Sequence, residues 1–331
     1  MFDRAVKPCD DGVLPMKFPF ELNENKRFDC VGFGTNAVDY LIQVAEYPPL
    51  YSKIELENYT LLAGGEIAST MAGLKRLQME TAYIGRFGDD KEGDFGLRTL
   101  IDEGVNVEYA EQIAGATTQI GFIIIDMSNG ERTVIWKRDQ KLAYTPDEVP
   151  LDFVRDAKIF HATPHDALAC ARMAREAKAH GAIVSIDIDN LFDGVSEMIP
   201  LVDVFLASAE FPEKLLGIKD KKAALREIKS RFGCPIVGVT LGASGSLILC
   251  EGSFIETGGF EVPNGCVDTT GAGDAFRVGF LYGILKGASI EEAARMANVV
   301  AALKCRQLGA RTALPFEKEL AEMLASAPLK T

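Results

Sequence analysis

The stretch VDTTGAGDAF, residues 267–276, sets three residues with almost no side chain between a polar Asp-Thr-Thr and a second acid. Gly271, Ala272 and Gly273 are the small ones, Asp274 is the acid, and the apolar run AFRVGFLYGIL that follows has the composition of a buried helix. Gly-Ala-Gly at a helix start leaves the first amide N–H groups open to an anion, and the helix dipole favours negative charge there. Asp274 falls in the first turn, where the same dipole is expected to keep it ionised. Such a carboxylate suits phosphoryl transfer: it takes the proton of an attacking hydroxyl while the amides stabilise charge on the transferred group. A tight turn followed by an ordinary helix-start acid is the other reading of the same letters. The apolar helix favours the first, because an acid at the end of a helix buried on nearly all sides is costly unless it is used. Arg277, one turn on, either faces phosphate, pairs with Asp274 or lies at the surface; the last two are preferred.

These residues need a frame. From residue 28 onward, apolar runs such as FDCVGFG, TAYIGRFG, KIFHAT, AIVSIDID, DVFLAS and PIVGVTLG end in Gly or polar residues. Helical stretches such as ALACARMAREAKAHG and KKAALREIKSRFG lie between several of them. The alternation implies an α/β fold with a mostly parallel sheet covered on both faces. Sites in such sheets lie beyond the carboxyl ends of the strands, which here means Asp187–Asn190, Ser208–Glu210 and Thr240–Ser246. Residues 39–62 and 117–138 read instead as strands and hairpins without helices, the second with an SNGE turn, and together predict a small sheet acting as a lid. Residues 1–27 read as an extension outside the main sheet, and 28–331 as one domain.

Composition narrows the class. A formal net charge of -13 with no basic stripe argues against a nucleic-acid partner, though not against a nucleotide held by amides and a metal ion. The seven cysteines are scattered and never paired as C-x-x-C, as expected of reduced thiols in a cytosolic protein. No apolar run approaches the roughly 18 residues that span a bilayer, and the N-terminus lacks the continuous apolar core of a signal peptide.

In this company VDTTGAGDAF resembles the C-terminal signature of the ribokinase-like (PfkB) carbohydrate kinases, and the likeness runs in order from residue 28. GFGTNAVD (32–39) resembles the family's first strand and substrate aspartate, AGGEIAST (63–70) its Gly-Gly turn, and IGRFGDDKEGDFG (84–96) its N-terminal signature. VTLGASGS (239–246) resembles the nucleotide loop, and AALKCRQLGARTALP (301–315) the closing segment of some sugar kinases. The resemblance implies a three-layer ribokinase-like fold, ATP and Mg2+, Asp274 as base and Gly271–Gly273 as anion hole. It implies Asp39 and Gly64–Gly65 on substrate hydroxyls, Thr240, Gly242 and Gly245 along the nucleotide, and Asn298 near the adenine. It also implies a monovalent cation, K+, behind Asp268 and the 304–309 backbone, as in several relatives. There are departures. Ser69 stands where the family commonly has asparagine. In ASAEF, Ser208 and Phe211 replace the ends of the metal-linked Asn-x-x-Glu motif, leaving Glu210 to orient water around the metal. An acid one place earlier resembles the branch that includes ketohexokinase. A fructose-like ketohexose is therefore the first expectation for the acceptor, a nucleoside the second, and a homodimer is common in the family.

Other residues keep two readings. Asp39 either binds substrate or caps a turn. Glu66 is either solvated or, pointing inward, makes the pocket acidic, which with Asp39 and Asp274 favours a neutral polyol over a sugar phosphate or acid. Lys137 and Arg138 of WKRD could swing in from the lid but more often such charges are solvated. Asp187 and Asp189 share one side of a strand and could hold a metal, with Asp189 a candidate substrate contact. His161 and His165, with a proline between them, read as core or loop histidines rather than zinc ligands. VGFGTNA fits a loose dinucleotide fingerprint, which would make the chain an oxidoreductase, but LIQVAEYPPLY is no helix to follow it. A P-loop sequence is absent. A catalytically weak sugar-sensing relative is the third class, kept open by Ser208 and Phe211.

Overall fold

A computed structural model describes residues 15–128 and 131–326. Elements are numbered in chain order. The apolar runs form a nine-stranded sheet in the order β13-β12-β11-β10-β9-β8-β1-β4-β5. Its strands are β1 (Phe28–Phe33), β4 (Thr81–Gly88), β5 (Asn106–Ile113), β8 (Ala157–Ala162), β9 (Ile183–Ile188), β10 (Val204–Ala207), β11 (Ile236–Thr240), β12 (Ser246–Cys250) and β13 (Ser253–Thr257). From β11 through β5 all neighbours are parallel, whereas the β11–β12 and β12–β13 pairings are antiparallel. Such strands are buried on both faces, so nearly every residue is apolar and alternate residues enter different cores. In β8, Phe160 packs with one cluster and Ile159 with the other. The first cluster lies under α3 (Leu151–Arg155), α4 (Ala167–Ala179), α5 (Val195–Met198), α6 (Phe211–Leu216) and α7 (Lys221–Phe232). The second lies under α1 (Glu66–Arg76), α2 (Lys91–Asp102), α8 (Ala272–Leu285), α9 (Ile290–Lys304) and α10 (Glu317–Ser326). No helix among the described residues is long and apolar enough to cross a membrane.

A second sheet has the order β3-β2-β6-β7, from β2 (Ala37–Val44), β3 (Asn58–Gly64), β6 (Ile120–Asp126) and β7 (Arg132–Lys137). After β1 the chain thus enters a strand, so the dinucleotide fingerprint lacks the helix it needs. The segment 39–62 is two strands joined by a 45–57 loop. The turn of the β6–β7 hairpin includes Asn129 and Gly130, which lie outside the described residues, as do 1–14 and 327–331. Residues 15–27 form no strand or helix, yet they are docked. Phe18 meets Phe280 of α8 edge-on at 5.8 Å, and Glu291 of α9 accepts from the Met16 amide at 3.1 Å.

Strand order reverses at β1, whose neighbours are β8 and β4. The crevice beyond β1 and β8 is where an open α/β sheet places its site. Helix α8 is pressed into the second core by glycine. A Cβ on Gly279 would come within 2.5 Å of Ala297 and one on Gly283 within 2.5 Å of Ala293, so α8 and α9 pack at backbone contact.

Candidate active site

Gly271 is the N-cap of α8, with φ 75 and no side chain to close the helix end. A Cβ there would meet Ala310 at 2.7 Å, so the turn is both left-handed and pressed against the loop after α9. Residues Gly271–Asp274 are partly exposed, whereas Ala275–Ile284 are buried. The first-turn amides and the Asp274 carboxylate therefore sit at the surface of the crevice, on the end of an otherwise buried helix.

Asp274 is not kept ionised by the dipole as the sequence suggested. Burial pushes its pKa up to about 7; Asp187, Asp189 and Asp39 add to this, and Arg277 opposes it. Burial first, and then the carboxylates of β9 and its end and of β2, outweigh the local helix end. Glu66, first residue of α1, points inward: it accepts from Thr35 at 2.9 Å and lies 3.8 Å from His165. Burial, then Asp187, Asp189 and Asp274, hold its carboxyl well above the usual range. The carboxylates of α1, β9 and α8 thus converge on one place.

Arg277 takes neither of the two preferred places. It neither pairs with Asp274 nor lies at the surface: it is 3% exposed and its guanidinium meets Asp187 at 2.6 Å. The same group donates to Gly273 O at 3.1 Å and Leu206 O at 3.2 Å, tying the glycine turn to β10. Asp187 is therefore spent on a structural pair rather than free for a metal, and burial still pushes it up to about 6. Asp189 and Glu210 are exposed at the ends of β9 and β10. Among the described residues no three His, Cys, Asp or Glu gather as a metal site. Mg2+ carried on phosphates needs only one or two carboxylates, so the donor set fits it.

Asp39 caps no turn. It lies inside β2, opposite Leu62 of β3 and Gly121 of β6. Two glycines make room for it: a Cβ on Gly64 would lie 1.9 Å from its carboxylate and one on Gly121 2.7 Å away. Burial pushes Asp39 up to about 7, against the pull of Arg311. Gly65 (φ 86) could carry no side chain, since a Cβ would strike Asn36 Cα at 2.3 Å. Gly121 in turn faces Trp136 of β7, placing Asp39 and the indole in one row of the smaller sheet. Trp136 stands 6.2 Å from His165, and His165 lies 4.4 Å from Phe192. Arg138 is neither solvated nor free, being held by both oxygens of Asp166 at 2.9 and 2.7 Å. His161 is a core side chain bonded to Ser185 at 3.1 Å, its pKa lowered to about 3 by burial.

Ser69 does not open on the crevice. It is fully buried and accepts from Arg311 Nε at 3.2 Å. Arg311 also donates to Gly64 O and to Thr99 at 3.2 Å. No local motif assigns Arg311 a role; an arginine among small apolar residues is the signal the sequence offers. On the other side, Gly242 and Gly245 have φ 58 and 96 in the loop after Thr240. A Cβ on Gly245 would lie 2.0 Å from Thr257 O. Asn298 donates to Ser246 at 3.1 Å, fastening α9 to the end of that loop. Asp268 is buried, and its carboxylate accepts from Thr270 N at 2.8 Å and Gly309 N at 2.7 Å.

An open helix start with an acid in its first turn, at the carboxyl ends of parallel strands, has the form that phosphoryl transfer in an α/β fold requires. The profile of the pfkB family carbohydrate kinases matches residues 33–317, and the chain belongs to that family. It is a sugar or nucleoside kinase, a phosphotransferase with a hydroxyl acceptor. An uncharacterized sugar kinase of Archaeoglobus fulgidus is 34% identical over 260 residues, spanning 73% of this chain and 98% of that protein. An ATP-dependent ribose-1-phosphate kinase of Halopiger xanaduensis is 29% identical over 278 residues, spanning 83% and 91%. A fructokinase double mutant from Vibrio cholerae, solved with fructose, ADP and potassium ion bound, superposes with a TM-score of 0.74 at 26% identity, covering 90% of this chain and 99% of that one. Others are named fructokinase, ribokinase and nucleoside kinase.

Proposed function

We propose that the protein transfers the γ-phosphoryl group of ATP to a hydroxyl of a small neutral sugar, a fructose-like ketohexose first. One observation carries the choice of a neutral acceptor. Asp274, Asp187, Asp189 and Glu66 share one field, while the arginines beside it are committed to Asp187, to Asp166 and to the Gly64 carbonyl. An anionic group on the acceptor would meet carboxylates with no uncommitted arginine among these three to balance them. The ribose-1-phosphate kinase relative makes this a real alternative, which the substrate panel below decides.

Asp39 and the Gly64–Gly65 backbone would hold acceptor hydroxyls, with Trp136 packing on the apolar face of the sugar. Asp274 accepts the proton of the reacting hydroxyl as its oxygen bonds to the γ-phosphorus. The bond to the β–γ bridging oxygen breaks, and ADP leaves. The amides of Gly271 and Gly273 would receive the charge on the transferred group, with Ala272 N already donating to Thr269 O. Thr240, Gly242 and Gly245 would line the nucleotide, with Asn298 bracing the loop. Asp189 and Glu210 would hold Mg2+, which would supply charge neutralisation on the phosphates. The smaller sheet acts as a lid that excludes water. Its outer row, Leu61, Tyr40, Phe122 and Ile135, is apolar and fits a second copy of the chain.

The test is ADP release from Mg·ATP against neutral sugars, sugar acids, sugar phosphates and nucleosides. Turnover confined to a neutral sugar is expected. Preferred turnover of a phosphorylated or acidic sugar overturns the acidic-pocket argument, and of a nucleoside the choice of sugar.

A further inference from the structure

Lys304 is a fully buried cation on a helix of small apolar residues. It follows Ala293, Ala297 and Val300 along the inward stripe of α9, all of them buried. A lysine on such a stripe costs solvation of its charge unless a partner waits at the end of the stem. The partner is Asp268. The Lys304 ammonium donates to the Asp268 carbonyl at 2.7 Å and lies 3.8 Å from its carboxylate. Asp268 needs this charge, because its own two contacts are neutral amides, Thr270 and Gly309. The Cys305 carbonyl closes the same wall by accepting from Val267 N at 2.9 Å.

This wall of Asp268 and the 304–309 backbone is the one that the family resemblance assigns to a monovalent cation. Here the residues do not fit a free ion, because a covalently held one is already in place. An ammonium is close to K+ in size and charge, and a second cation beside it would be repelled in a buried site. We propose that Lys304 stands in for the monovalent cation, so that this kinase works without K+. The proposal deepens the kinase reading above and rests on it for the consequence. Asp268–Thr270 run straight into Gly271, and Thr269 O accepts from Ala272 N at 3.1 Å. The lysine charge thus stands behind the amides that receive the phosphoryl group, where a cation lowers the cost of added negative charge. Lys304 is a positioning residue, since it touches neither substrate.

The experiment measures affinity for a non-hydrolysable Mg·ATP analogue by calorimetry, the thermal midpoint, and ADP release. Each is taken in choline, sodium and potassium chloride at equal ionic strength. The wild-type protein is expected to vary by less than about twofold in affinity and turnover across the three salts, with no K+-specific rise in midpoint. Lys304→Ala should lose about tenfold or more of its nucleotide affinity or turnover in choline and regain most of it in K+. Lys304→Met should lose as much and regain nothing, because its side chain still fills the space. Selective activation or thermal stabilisation of the wild type by K+ overturns the proposal. So does a folded Lys304→Ala that K+ does not rescue. Should Lys304→Ala fail to fold, the wild-type salt series decides alone. Absence of turnover on every acceptor strikes the kinase reading, while affinity and midpoint still report on the lysine.

Discussion

Replacing Arg277 by methionine keeps the length of the buried stem and removes the guanidinium from Asp187, Leu206 O and Gly273 O. Removing one partner of a buried ion pair costs about 3–5 kcal/mol, because the other charge is left uncompensated. At about 2 °C per kcal/mol for a chain of this size, the midpoint falls by about 6–10 °C. The loss must depend on pH. Asp187 and Asp274 have pKa values raised to about 6 and about 7, so both are largely neutral near pH 5.5 and largely ionised near pH 8. A raised carboxyl contributes stability below its unfolded value that is lost as pH rises through the folded one. Arg277 limits that loss, so its absence is felt most at the alkaline end. Near pH 5.5 only hydrogen bonds and packing are missed, about 1–3 kcal/mol, which lowers the midpoint by about 2–6 °C. Differential scanning fluorimetry of the ligand-free protein at both pH values reads this directly. Asp187→Asn in the Arg277→Met background should recover part of the loss at pH 8 and little at pH 5.5. An equal drop at both pH values, or no recovery in the double variant, refutes the reasoning from buried charge.

Two further outcomes follow from the same geometry. With Asp274 as base and its carboxyl pushed up to about 7, kcat/KM on the acidic side should fall about tenfold per pH unit below that value and level off above it; a flat profile between pH 5.5 and 8 contradicts the assignment. Arg311→Met frees the Gly64 carbonyl and the charge opposing Asp39, so KM for the acceptor should rise by about tenfold or more while kcat changes less. Steady-state kinetics in which kcat collapses at unchanged KM would place Arg311 elsewhere in the cycle.

The frame was legible because buried parallel strands announce themselves as short apolar runs ended by glycine or a polar residue. The six runs read from sequence are β1, β4, β8, β9, β10 and β11. The glycine turn was legible because its chemistry is local: small residues, open amides and an acid within one helical turn. What sequence missed was set by residues far apart in the chain. Arg277 has Asp274 three residues away and Asp187 ninety, and only the packing of α8 against β9 and β10 chooses the second. Asp39 lay within a strand because the smaller sheet continues through it, which the pattern around Asn36 did not announce. The raised pKa of Asp274 needs carboxylates from β9 and the smaller sheet, and no window around residue 274 contains them. Lys304 sat in plain view on a periodic apolar stripe, but its partner is 36 residues earlier.

The central claim is that Asp274 takes the proton of the acceptor hydroxyl. Once the substrate panel has identified an acceptor, a single-turnover transfer of labelled γ-phosphate in wild type and Asp274→Asn tests it most directly, with calorimetry of nucleotide binding alongside. The account predicts nucleotide affinity within about threefold of wild type and transfer slower by about a hundredfold or more. Transfer at a near-normal rate in the asparagine variant would contradict it.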